Sequence, residues 1–176
     1  MPLPKITTAE YELKLPSSGK TIKYRPFLVR EEKILILSLE SEDRKQITSA
    51  VKQVLKECVL TKGIKVDQLP SFDIEYLFLN VRSKSVGETI DLVVTCGDDG
   101  TTEVPVTVPI DEIKVTKSDD HSPDIELSDG YKVRMKYPSL SQFIENNFSE
   151  VDSDDLVEKS FDMVASTIDM VYNDEE

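Results

Sequence analysis

The hydrophobic period of this 176-residue chain changes once, near Gly87, and no other feature constrains the fold as much. From Arg30 to Lys84 the apolar residues recur every three to four positions, whereas from Thr89 to Met135 they alternate in twos. A chain built this way segregates its helices from its strands. The reading is α+β: an N-terminal β-hairpin, a helical block, antiparallel β-hairpins and two C-terminal helices.

The N-terminal hairpin runs from Glu10 to Leu15, turns through Pro16-Ser17-Ser18-Gly19 and returns from Lys20 to Arg25, where Pro26 ends its donor ladder. Arg30-Glu31-Glu32-Lys33 opens the first helix, with Ile34, Leu35, Ile36 and Leu37 expected inside. Ser41-Glu42-Asp43 then interrupts with cap chemistry. In the second helix Ile47, Ala50, Val51, Val54, Leu55, Cys58 and Val59 form one face, and Gly63 is the expected C-cap. A third helix, from about Ser71 to Lys84, is apolar nearly all round and should be buried on most sides.

Beyond Gly87, the strands Thr89–Thr95 and Thr102–Val108 flank the turn Cys96-Gly97-Asp98-Asp99-Gly100, with Pro105 marking an edge. Glu112–Val115 is expected to add a short strand. Asp124–Leu127 and Tyr131–Met135 form a further hairpin around Ser128-Asp129-Gly130. Ser139 and Gln142 fit a capping box for a short helix carrying Phe143, Ile144 and Phe148. Asp152 to Asp155 place negative charge at the start of the last helix, expected over Asp154–Tyr172.

Charge divides the chain more sharply than composition does. Residues 1–117 hold 17 basic and 18 acidic side chains; residues 118–176 hold 4 and 16, which is nearly all of the net −13. We divide the chain accordingly into an α+β globular domain, 1–137, and an acidic C-terminal helical segment, 138–176. Such a segment repels phosphates, so no nucleic-acid binding is expected. No apolar run reaches the ~20 residues of a membrane span, and the Met1-Pro2-Leu3-Pro4-Lys5 start has no secretory pattern, which points to the cytosol.

Catalysis and metal binding find no support. Two cysteines, Cys58 and Cys96, and one histidine, His121, cannot supply a disulfide framework or a CxxC metal ribbon. His121 reads as a solvated loop residue, the Asp98-Asp99 and Asp119-Asp120 pairs as turn formers, and Cys58 as packed and inert. Cys96-Gly97 lacks the second cysteine of a zinc knuckle, and Asp98-Asp99-Gly100 falls short of a calcium loop. We expect no catalytic residue, no cofactor and no metal.

One stretch carries a family signal. Tyr24-Arg25-Pro26-Phe27-Leu28-Val29-Arg30-Glu31-Glu32-Lys33-Ile34-Leu35, continuing to Ser41, resembles the baseplate hub subunits of T-even-like contractile-tailed bacteriophages. The Ala50–Cys58 helix, the segment from Leu69-Pro70 to Val81, the Gly97 hairpin and Pro138-Ser139-Leu140 resemble the same family. The resemblance implies a non-enzymatic tail protein, a hub component or assembly chaperone, that acts through contacts with other hub and tail proteins. It places the chain in the host cytoplasm during assembly and in the virion tail baseplate. Relatives continue for some tens of residues past the acidic end, so this chain is expected to be a shortened form. Some carry paired cysteines near the Cys96 hairpin, where this chain has one.

The competing reading is an acidic regulatory module, such as a nucleic acid mimic, although the carboxylates here cluster in loops and on one helix side. The residues also single out a docking surface. The last helix carries two stripes about 100° apart. We expect Val157, Phe161, Val164 and Ile168 to pack inward and Leu156, Met163 and Met170 to meet a partner, because methionine adapts to irregular surfaces. Oligomeric state is left open.

Overall fold

The structure, a computed structural model, describes residues 8–142 and 156–173. It divides into two compact units, Met1–Val66 with Asp73–Val115, and Asp67–Phe72 with Thr116–Glu176. Helices and antiparallel strands coexist, as the period switch requires.

In the first unit, β1 (Tyr11–Lys14) pairs with β2 (Thr21–Tyr24), placing Tyr11 opposite Tyr24 and Leu13 opposite Ile22. Alternation sends Leu13, Leu15, Ile22 and Tyr24 inward, where all four are buried. Gly19 adopts φ +68, a left-handed conformation that closes the turn. The turn is also tied from outside the hairpin. Ser17 donates its backbone N–H to Asp73 Oδ1 at 3.0 Å and its hydroxyl to Oδ2, although 56 residues separate the two. Asp73 is 0% exposed in the first turn of α3 (Ser71–Ser85). A buried carboxylate must be hydrogen-bonded, so this contact fixes the hairpin tip against the helix.

The helix α2 (Arg44–Cys58) opens on Asp43, whose carboxylate accepts the Lys45 N–H at 2.8 Å and the Gln46 side chain at 3.0 Å. Those bonds, the Lys45 one foremost, hold the Asp43 carboxyl below its ordinary range. Ala50, Val54, Leu55 and Cys58 form its buried face, as the periodicity predicts. The expected C-cap at Gly63 is corrected: the helix ends at Cys58, and Val59 is extended and bridges Tyr24. Arg25 N–H donates to Cys58 O at 2.9 Å and Leu60 N–H to Lys23 O at 2.8 Å. Pairing with the outer side of β2 stops the helix before the glycine is reached. Burial pushes the Cys58 thiol up to about 11, so it is packed and unreactive. In α3, Ile74, Leu77 and Val81 are buried and most other positions are half-buried, as its all-round apolarity predicts.

The first helix, α1 (Val29–Glu40), departs from expectation. Ile36 and Leu37 face outward with Val29 and Leu39, while Glu31 and Ser38 face in. The cause is electrostatic. Glu31 is 1% exposed; its carboxylate accepts the Leu28 N–H at 2.8 Å, Arg30 at 2.9 Å and Arg25 at 3.2 Å. Burial alone would raise its pKa, but these donors outweigh it and bring the group down to about 2. The helix rotates to satisfy that charge, and its apolar residues turn outward.

The strands β3 (Thr89–Thr95) and β4 (Glu103–Pro109) form a two-stranded arm in continuous register from Thr89↔Pro109 to Thr95↔Glu103. The strand expected at Glu112–Val115 does not form. Buried Ile110 donates to Glu88 O at 2.9 Å and starts a 3-10 turn over Ile110–Glu112.

In the second unit, β5 (Asp124–Glu126), β6 (Tyr131–Met135) and β7 (Ile168–Asn173) form one antiparallel sheet in the order β5-β6-β7. The capping box is present: Gln142 N–H donates to Ser139 Oγ at 3.3 Å, and Ser139 N–H to Gln142 Oε1 at 3.0 Å. The remainder of that helix, with Phe143, Ile144, Phe148 and the Asp152–Asp155 run, lies outside the described residues. The second C-terminal helix, α4, covers only Leu156–Ser166. The expected helix to Tyr172 is corrected to helix followed by strand. Ser166 and Thr167 hydroxyls donate to Met163 O and Val164 O, closing the last turn. The alternating Ile168–Tyr172 segment then pairs with β6, with a register shift that leaves Asp169 as an extra residue in β7.

Glu31 gives a pH-resolved expectation. A carboxyl held at about 2 when folded, against an ordinary 4.5, contributes about 3 kcal/mol above pH 4.5, lost as pH falls through 2. Glu31→Gln should therefore destabilise the chain by about 2–4 kcal/mol at pH 7. It should also flatten the stability change between pH 5 and pH 2, read by denaturant unfolding across that range.

Candidate protein-docking surfaces

No cluster of described side chains converges as an active site would. His121 is exposed in its loop, stacked on Tyr137 at 5.7 Å with its Nε2 2.7 Å from the Tyr137 hydroxyl. Asp99 accepts the Thr101 and Thr102 N–H groups at 3.0 and 2.9 Å and the Thr102 hydroxyl. These bonds, the Thr102 hydroxyl first, hold its carboxyl at about 2, which makes it the organiser of the turn. Arg134 grips Asp124 through both carboxylate oxygens, at 2.7 and 3.2 Å, between directly opposed positions on β5 and β6, and lies over the Tyr172 ring. That pair is a sheet clamp. Among the described residues no group of three or more His, Cys, Asp or Glu is placed to hold a metal, and no helix is long and apolar enough to cross a membrane.

What the described residues do present is uncovered apolar surface, including stretches on α4, α1 and the β3–β4 arm. On α4, Val157, Phe161 and Val164 share one face, with Phe161 72% exposed; with Ser160 they line a groove of ≈ 310 Å³. On α1, Val29 is 79% exposed and shares the outward side with Ile36, Leu37 and Leu39. On the β3–β4 arm, three opposed pairs, Ile90–Val108, Leu92–Val106 and Val94–Val104, make one face wholly aliphatic. Leu92, Val94, Val104 and Val106 are exposed there. The opposite face carries Asp91, Thr95, Glu103 and Thr107 with the pair Val93–Pro105 between them, and the Thr107 hydroxyl donates to Asp91 at 2.7 Å.

These placements overturn the inward stripe expected of the last helix. Val157, Phe161 and Val164 are outside rather than inside, and Ile168 is half-buried on β7. Of the expected partner residues, Leu156 begins α4, Met163 is half-buried on the side of α4 away from Phe161, and Met170 is exposed on β7 opposite Arg134. The structure does not bring the three together, because the helix that would have aligned them ends at Ser166. Sequence reasoning found two stripes, and nothing local says which one faces in. It also missed the α1 and β3–β4 surfaces. Signals for both were present: Arg25 and Arg30 bracket a carboxylate on α1, and the aliphatic alternation of β3 and β4 has no matching cover.

A family model described as T4 bacteriophage base plate protein matches residues 8–176. The chain belongs to that family. No curated protein and no solved structure matches it. A baseplate is a protein assembly, and exposed aliphatic surface on a baseplate subunit marks where neighbours can sit. The match covers all three surfaces.

The α4 face yields a contrast in stability. Phe161→Ala should change unfolding free energy by no more than about 0.5 kcal/mol, as for an exposed side chain. Leu77→Ala, in the buried stripe of α3, should cost about 2–5 kcal/mol. Parallel denaturant titrations of the two variants check this.

Proposed function

We propose that this baseplate protein serves the hub, as a structural component or assembly factor, and that it works through protein–protein contacts without enzymatic chemistry. The observation that carries the reading is the coexistence of three exposed apolar surfaces with buried or hydrogen-bonded charged groups that are engaged in local structure. A buried carboxylate at Glu31 fixes a helix, Asp73 fixes a hairpin, Asp99 fixes a turn and Arg134–Asp124 fixes a sheet. None of them opens onto a groove where a substrate would sit. Partners are other hub and tail proteins, met in the host cytoplasm during assembly and kept in the virion tail.

The docking surface on the acidic 138–176 segment centres on Val157, Phe161 and Val164. Partner contact at Leu156, Met163 and Met170 is a separate proposal, since Met163 lies on the side of α4 away from Phe161 and Met170 on β7. Nucleic acid plays no part in this reading, because the charge of residues 118–176 opposes phosphate.

Co-expression of the tagged chain with the other tail proteins of its phage, followed by purification and mass spectrometry, tests the proposal. Hub proteins should co-purify in stoichiometric amounts. The double variant Val157→Ser with Phe161→Ser should cut their recovery at least tenfold, about 1.4 kcal/mol or more of binding, without lowering the yield of folded chain. Unchanged recovery would remove the α4 docking surface, and co-purification with no hub protein would remove the hub reading.

A further inference from the structure

The β3–β4 arm is an amphipathic two-stranded ladder, and its two edges differ. Cys96 N–H donates to Thr102 O at 2.8 Å and Ile110 N–H to Glu88 O at 2.9 Å, which fixes the phase of the ladder. By alternation, Ile90–Val108, Leu92–Val106 and Val94–Val104 exchange the internal hydrogen bonds. Thr89, Asp91, Val93 and Thr95 then point their backbone groups away from β4, and Glu103, Pro105, Thr107 and Pro109 point theirs away from β3. Two of the four outward positions of β4 are proline and have no N–H to offer. All four on β3 keep theirs, and among the described residues no strand lies beside β3. One edge is blocked, and the other is open from Asp91 onward, the Thr89 carbonyl accepting from the Arg82 side chain at 3.5 Å.

Charge narrows what the open edge can take. Between Lys84 and Lys114 the chain has seven carboxylates and no basic side chain. A strand laid along β3 would set one of its faces beside Ile90, Leu92 and Val94 and the other beside Thr89, Asp91, Val93 and Thr95. The first face calls for aliphatic residues, and the second for a Lys or Arg beside Asp91, its one carboxylate. A second copy of this chain is disfavoured, since β3 against β3 brings the carboxylates of two acidic arms together.

We propose that the outer edge of β3, residues 91–95, is a strand-addition site for an extended segment of another baseplate protein that sets aliphatic residues on one face and a Lys or Arg on the other. The added strand completes the sheet through backbone hydrogen bonds and covers part of the aliphatic face. A two-stranded ribbon is marginal alone, and a third strand supplies what it lacks. The inference rests on the baseplate reading for the source of the partner, but not on the hub assignment.

The full chain, isotope-labelled, is titrated with overlapping synthetic peptides that tile the other baseplate proteins of its phage. Expected hits carry a Lys or Arg opposite an aliphatic face, weaken with added salt, and slow amide exchange at Asp91, Val93 and Thr95. Val93→Pro, which removes an outward donor of β3, should weaken binding at least about tenfold, whereas Pro105→Val on β4 should leave it unchanged. Because a proline can disturb the ladder, the pair Asp91→Lys and Glu103→Lys provides a second reading that keeps every backbone donor. It too should weaken the same peptides at least about tenfold. Equal effects at Val93 and Pro105, hits without basic residues, no hits, or self-association through the arm would each overturn the proposal. Incorporation of wild-type and Val93→Pro chains into purified baseplates separates the two claims. Equal incorporation sinks the strand-addition site alone, and absence of both sinks the baseplate reading as well.

Discussion

A carboxylate taken out of water must find donors, and in the first unit Glu31 has found three. Those donors come from the end of β2, the N-terminus of α1 and the helix itself, so one charge sets where α1 starts and how it is turned about its axis. Arg30 extends the link to α2 through Glu57 at 3.6 Å. Ser38, on the same side of α1 as Glu31, is buried with its hydroxyl on Leu35 O at 2.8 Å. The inward side of α1 is thus partly polar, and the outward side is left aliphatic.

That exchange bears on what a baseplate subunit needs. Exposed Val29, Ile36, Leu37 and Leu39 would be a liability on a chain meant to remain alone. The same holds for Phe161 on α4 and Leu92 on the β3–β4 arm. On the proposed reading, each is a surface whose burial is deferred until a neighbour arrives. The acid charge of residues 118–176 and of the arm opposes contact with other acidic surfaces meanwhile, and favours partners of opposite sign.

Much of the fold was legible before any coordinates. The alternation of Leu13, Leu15, Ile22 and Tyr24, the face of α2 and the span of β3 and β4 all follow from period and burial. The candidate surfaces were legible only in part. Two stripes on the last helix are visible in the sequence, but the one expected to pack inward, Val157, Phe161 and Val164, is exposed, and the helix ends at Ser166, six residues before Tyr172. The aliphatic residues of β3 and β4 were seen as strand residues, not as a face without cover.

The sequence by itself determined what depends on residues a few positions apart. Asp43 caps α2 through its own next neighbours, Ser139 and Gln142 bond across a single turn, and Asp99 closes its turn within three residues. Only the tertiary structure decided what depends on distant groups. Asp73 is buried because Ser17 meets it, and α2 stops at Cys58 because β2 takes the next residues. The chain leaves α4 at Thr167 because β6 offers a ladder to Ile168–Asn173. Periodicity records that a helix has an apolar side or that a strand alternates. It holds no information on which partner will come, and without the partner a side has no direction.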